Sequence, residues 1–104
     1  MLSRPLTVDL VRGALRSVID PELGVNIVDL GLLYDVAVDD GGGVAIATTL
    51  TTPGCPLGGF LEDAIRTCLA QLPQVRAVRI ALVWEPPWRP EAMSDRAREQ
   101  LGWL

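Results

Sequence analysis

The sequence predicts an α+β two-layer sandwich, a small mixed sheet with helices packed on one face, in the order α-β-β-α-β-α. Three observations carry that expectation. Apolar residues recur at helical spacing in two long stretches, short alternating segments lie between turn formers, and one of the helices separates the second strand from the third. A strand reached through a helix arrives by a crossover, so one hairpin and one parallel pairing are expected in the same sheet. At 104 residues, 49% of them apolar, the chain is sized for one domain over residues 1–104 with a single core.

Thr7 stands where it can cap a first helix whose apolar face is Val8, Val11, Leu15, Val18 and Ile19, with Arg12 and Arg16 on the other side. The helix is expected to stop at Asp20-Pro21, because a proline drives the residue before it out of helical geometry. Glu22 to Gly31 mixes turn formers with apolar anchors, the pattern of an ordered loop pinned to a core. From Leu32 to Asp39 the apolar residues Leu32, Tyr34, Val36 and Val38 alternate as on a half-buried strand. Asp40-Gly41-Gly42-Gly43 then supplies a turn into a second strand, Val44 to Thr51, giving an antiparallel hairpin.

Beyond the loop Thr51-Thr52-Pro53-Gly54-Cys55-Pro56, the residues Leu57, Phe60, Leu61, Ala64, Ile65, Cys68, Leu69 and Leu72 keep the helical period as far as Pro73. A third strand is expected from Val75 to Trp84, with Val78, Ile80, Leu82 and Trp84 on one side. Glu85-Pro86-Pro87-Trp88-Arg89-Pro90 excludes both a helix and a central strand. Ser94 is placed to cap a short last helix through Leu101, with Gly102 as its stop.

Charge and composition exclude several functions. The net charge is −4 and the isoelectric point about 4.6, so the chain lacks the basic field that nucleic acid or an anionic membrane requires. All nine basic residues are arginine. With no histidine and no lysine, a Ser-His-Asp or Cys-His pair, a Schiff base and a phosphate-loop lysine are all ruled out. No apolar run approaches the roughly 20 residues of a membrane span, and the first residues lack the layout of a secretory signal. A reducing cytoplasm and free thiols follow as expectations, without a disulfide between Cys55 and Cys68.

The strongest chemical signal is Pro53-Gly54-Cys55-Pro56-Leu57-Gly58 at the strand-to-helix junction, with Thr52, Pro53, Gly54 and Pro56 as the loop that supports the thiol. A sulfur at a helix start faces unpaired amide groups, which favour thiolate over thiol. Cys68 reads as a packing residue on the apolar face of the second helix. One thiol cannot hold an iron–sulfur cluster, which normally takes four protein ligands. Any metal or cluster at Cys55 must therefore be shared, with a second copy in a homodimer, a client's cysteine or nearby carboxylates, and folding is expected to need no metal. Asp20, Glu22 and Asp29 form a candidate acidic site, set against the commoner role of such acids in turns. Trp84, Pro86, Pro87 and Trp88 form a candidate partner surface, set against simple packing over the core.

Four motifs bear a family likeness: Asp20-Pro21-Glu22-Leu23-Gly24, then Asn26 to Tyr34, then Thr49-Leu50-Thr51-Thr52-Pro53-Gly54-Cys55-Pro56-Leu57, and Leu82-Val83-Trp84-Glu85-Pro86-Pro87-Trp88. In that register the chain resembles the metal–sulfur cluster assembly factor family, the SufT-like and PaaD-like proteins once labelled a domain of unknown function, over about residues 7 to 103. The resemblance implies an iron–sulfur cluster assembly domain, a role in maturing cluster-containing proteins, and a functional cysteine at Cys55. It also places Asp20 and Glu22 in the family's signature loop. Without a following ATPase domain or cysteine-rich tail, the chain reads as a minimal stand-alone form. Three functions then compete. The first is an assembly factor, not an enzyme, that contacts client apoproteins and scaffold or carrier proteins and handles at most a transient or shared iron–sulfur cluster. The second is a dedicated accessory protein of an aromatic-ring oxygenase of the phenylacetyl-CoA type. The third, a thiol enzyme, is disfavoured because the Cys55 motif holds no histidine or resolving cysteine.

Overall fold

A computed structural model describes residues 5–21, 23–50 and 58–102. The hydroxyl of Thr7 accepts the Leu10 amide at 3.0 Å and opens helix α1, Val8–Leu15, which buries Val11 and Leu15. The helix ends before the point expected from the periodicity. Ile27 donates its amide to the Val18 carbonyl at 3.0 Å and Asp20 donates to Val25 at 2.9 Å, so the chain after α1 is drawn into a short antiparallel bridge between Ile19 and Asn26. Val18 still reaches the core, but Ile19 is turned outward and is 47% exposed. Pairing with a later segment, and not Pro21, ends the helix.

Strands β1, Leu33–Val38, and β2, Gly43–Thr48, form the expected antiparallel hairpin. Its turn is held by Asp39, whose carboxylate accepts the amides of Gly41 and Gly43, each at 2.8 Å. The expected alternation through Leu32, Tyr34 and Val36 is broken by a bulge: Leu33 faces Thr48 while Asp35 faces Ala47, leaving Tyr34 as the extra residue. Leu32 and Leu33 are consequently both buried, and Tyr34 is displaced from the core row.

Helix α2, Gly58–Ala70, is the crossover to β3, Ala77–Leu82, which runs parallel to β2 in the order β1-β2-β3. Helix α1 packs on α2 and β1, and α2 packs on β3, so the helices cover one face of this mixed sheet. Leu61, Ile65 and Leu69 of α2 form the stripe that faces the core, together with Val36, Val44 and Ile46 from the sheet and Val25, Ile27, Leu30 and Leu32 from the loop before β1. Full burial of a side chain such as Ile65 contributes about 1.5–3 kcal/mol. Phe60, expected on the same apolar face, lies at its flank and is 55% exposed. Asp35, Ala37, Ala45, Arg79 and Ala81 occupy the opposite, open face of the sheet.

After β3 the chain passes a cis Glu85–Pro86 peptide and a short 3-10 turn, Pro90–Ala92, before the last helix. Ser94 caps that helix, α3, Asp95–Gln100, by accepting the Ala97 amide at 3.1 Å, and Gly102 stops it at φ +76°. Trp84 was expected to extend the core row of β3 but lies past the strand's end, 41% exposed. No helix among the described residues is long and apolar enough to cross a membrane.

Two glycines make a contrasting test of this packing. Gly31 has φ +76°, and a Cβ added there would come within 2.8 Å of the Ala92 carbonyl carbon; at Gly13, inside α1, nothing lies within 4 Å. Gly31→Ala should therefore cost about 2 kcal/mol or more, while Gly13→Ala should stabilise by about 0.5–1 kcal/mol. Urea denaturation of the two variants checks both signs, and equal shifts would contradict the docking of the loop on the 3-10 turn.

Candidate functional site

Cys55 and its supporting residues Thr52, Pro53, Gly54 and Pro56 lie in residues 51–57, outside the described residues, as does Glu22. The structure describes the two anchors between which that segment runs. On the strand side, the Leu32 carbonyl accepts the Thr49 amide at 2.9 Å and the Thr48 hydroxyl at 2.8 Å, and Val83 donates its amide to the Thr48 carbonyl at 2.8 Å. Thr48 and Thr49 are 0% and 1% exposed, and Leu50 beside them is also buried. Polar groups this deep are stable only when paired, and both threonines have backbone partners. On the other side α2 starts by Gly58 and is fixed to the core within its first turn by Leu61. In sequence, Cys55 thus falls between buried Leu50 and α2, whose first buried side chain is Leu61.

The two described acids are engaged in turns. Asp20 is nearly buried and accepts the Leu23 amide on Oδ1 at 3.1 Å, while its carbonyl accepts Gly24 at 2.7 Å. Asp29 accepts from the Asn26 side-chain amide at 2.8 Å, and Asn26 Oδ1 in return accepts the Asp29 amide at 2.9 Å. The Asp29 carbonyl also takes the Ser94 amide at 2.7 Å, joining this loop to the cap of α3. Among the described residues, no group of three or more His, Cys, Asp or Glu side chains is arranged to hold a metal ion.

The aromatic stretch divides between packing and surface. Trp88 is half-buried and donates its indole N–H to the Leu30 carbonyl at 2.7 Å. Tyr34 donates its hydroxyl to the Pro86 carbonyl at 2.6 Å, a contact created by the bulge that turned it out of the core row. Pro86, Pro87 and Trp84 remain exposed. The role of Tyr34 was not legible beforehand; its one signal is that the chain's single tyrosine sits directly after two leucines.

Cys68 packs against the core without being sealed into it. Its thiol donates to the Ala14 carbonyl at 3.1 Å and lies 3.4 Å from the Ser17 hydroxyl, and the residue is half-buried. The expected packing role holds, with a backbone partner that helical spacing alone did not reveal.

Comparison with known proteins decides the family. The family description "Iron-sulfur cluster assembly protein" matches residues 9–82. The chain belongs to the iron–sulfur cluster assembly protein family. Within it, the chain is 48% identical over 92 residues to the Fe-S protein maturation auxiliary factor YitW of Bacillus subtilis, covering 88% of this chain and 90% of that protein. It is 47% identical over 85 residues to the Fe-S protein maturation auxiliary factor SufT of Staphylococcus aureus, covering 82% and 97%. The crystal structure of a domain of unknown function from Bacillus anthracis superposes with a TM-score of 0.88 at 40% identity, covering 92% of each chain. The expected α-β-β-α-β-α order is that of the present chain, whose fold is shared with this neighbour.

Because the Ala14 carbonyl is in place to accept a hydroxyl as it accepts the thiol, Cys68→Ser should change stability by no more than about 1 kcal/mol. Urea denaturation gives the value. A loss of several kcal/mol would restore Cys68 to the apolar core.

Proposed function

We propose that the chain is an accessory factor in iron–sulfur cluster or metallocentre assembly and that Cys55 is its working thiol. The observation that carries this reading is the family match over residues 9–82, shared with relatives named as Fe-S protein maturation auxiliary factors. Cys55 stands shortly before α2, whose first amides favour negative charge, so the thiolate is the form expected to act. A thiolate there can ligate iron or attack a partner's sulfur, but a single thiol does not complete a cluster site. The cluster is therefore cargo, transient or shared, and further ligands come from a client's cysteines, from a second copy in a homodimer, or from the oxygens of Asp20, Glu22 and Asp29. The free edges of β1 and β3 support such a homodimer.

Client apoproteins and scaffold or carrier proteins are the partners in this reading, and exposed Trp84, Pro86 and Pro87 offer them a rigid surface. The work is delivery and contact in the cytoplasm rather than catalysis; the sequence has no histidine to activate the thiol for a catalytic cycle. The relatives are named for Fe-S protein maturation in general, which favours this role over one dedicated to a ring oxygenase.

Cells lacking the protein should lose activity of several unrelated iron–sulfur enzymes while the polypeptides of those enzymes stay at normal abundance. Loss confined to one oxygenase would transfer the role to the dedicated accessory protein, and no loss would end the assembly reading. In the purified protein, iodoacetamide should modify Cys55 before Cys68. The cooperative melting transition should survive a chelator, because the core is built mainly from apolar side chains.

A further inference from the structure

Ile19 and Phe60 are two of the three large apolar side chains left exposed among the described residues, at 47% and 55%. They line the same groove, a cleft of about 470 Å³ between one flank of α2 and residues Ser17 to Ile19. That volume lies in the roughly 300–1,000 Å³ range of binding clefts. Ala64 and Cys68 continue the α2 wall, Thr67 and Gln71 add polar groups at its side, and Asp63 is the single charged residue on it.

The backbone on the other wall is open in a specific way. In the bridge between Ile19 and Asn26 the hydrogen bonds are made by the flanking residues, from Ile27 to Val18 and from Asp20 to Val25. In an antiparallel pair of this kind the central residue's own N–H and C=O point away from the partner strand. Among the described residues, neither group of Ile19 makes a hydrogen bond. A bare donor and a bare acceptor on one residue, beside an apolar groove, are what an added strand uses: main-chain bonds hold it and a pocket reads its side chain.

We propose that the main chain of Ile19 and the adjoining groove bind an extended, apolar segment of a partner protein by strand addition, seating one apolar side chain between Ile19 and Phe60. A helical partner is disfavoured, since its own amides and carbonyls are already paired and would leave those of Ile19 bare. Asp63 favours a segment that carries a basic residue beside its apolar core. Its chemistry, main-chain pairing and apolar contact, needs no thiol.

The test is titration of the 15N-labelled chain with a capped pentapeptide, Thr-Val-Leu-Val-Arg, followed by amide chemical shifts. Saturable shifts are expected at Ile19, Phe60 and Ala64. Phe60→Glu, a change at an exposed position, and N-methylation of the peptide's central leucine should each weaken binding at least tenfold, or about 1.4 kcal/mol. Trp84→Ala, at the third exposed apolar residue, should leave binding unchanged, and so should Cys55→Ser, which separates this surface from the thiol. Absence of shifts at Ile19 and Phe60 with millimolar peptide would overturn the proposal. So would equal binding of the N-methylated peptide, or shifts at the same residues on simple concentration of the chain, which would make a second copy the occupant.

Discussion

The carbonyl of Leu32 accepts two hydrogen bonds at a fully buried position, from the Thr49 amide and the Thr48 hydroxyl. Leaving such a group unpaired costs about 1–3 kcal/mol, so the end of β2 has little freedom once the core has closed around it. That constraint sets the pairing of Leu33 with Thr48, which leaves Tyr34 as the bulged residue and sends its hydroxyl to Pro86. It also brings Val83 onto the Thr48 carbonyl, which fixes the end of β3 beside the end of β2. The chain then departs toward Cys55 from a point held on both sides.

The loop before β1 plays the matching part for the rest of the molecule. Asn26 and Asp29 bond each other, Asp29 holds the cap of α3, Leu30 holds Trp88, and Gly31 lets Ala92 approach its backbone. The segment from Trp88 to Ser94, far away in sequence, is thereby gathered onto one loop, and the acids of that loop are turn formers before they are anything else. A frame of this kind suits an accessory factor. The described residues form a bonded frame, and Cys55 falls in sequence between its buried residues Leu50 and Leu61.

Much of the fold was legible because it is local. The Thr7 and Ser94 caps, the Asp39 turn and the Leu61, Ile65, Leu69 stripe depend on residues within a few positions of each other. The features that were not legible depend on distant partners. Helix α1 stops early because Asn26 and its neighbours capture the chain, the bulge follows from the bonds at Leu32, and Cys68 gains a partner only through the approach of Ala14. Phe60 shared the helical period, yet it lies with Ala64 and Cys68 beside the Leu61, Ile65, Leu69 stripe and stays exposed. At the site, the Cys55 motif was readable from its own residues, whereas the engagement of Asp20 and Asp29 required knowing where the loop folds back.

The division of labour between the two thiols is the central claim, and replacing each in living cells tests it most directly. In cells without a chromosomal copy, Cys68→Ser should restore the activity of iron–sulfur enzymes, because its position is structural and its partner accepts a hydroxyl. Cys55→Ser should accumulate to the same level and leave those activities at the level of the deletion. Full restoration by Cys55→Ser, with the protein at normal abundance, would contradict the assignment of Cys55 as the working residue.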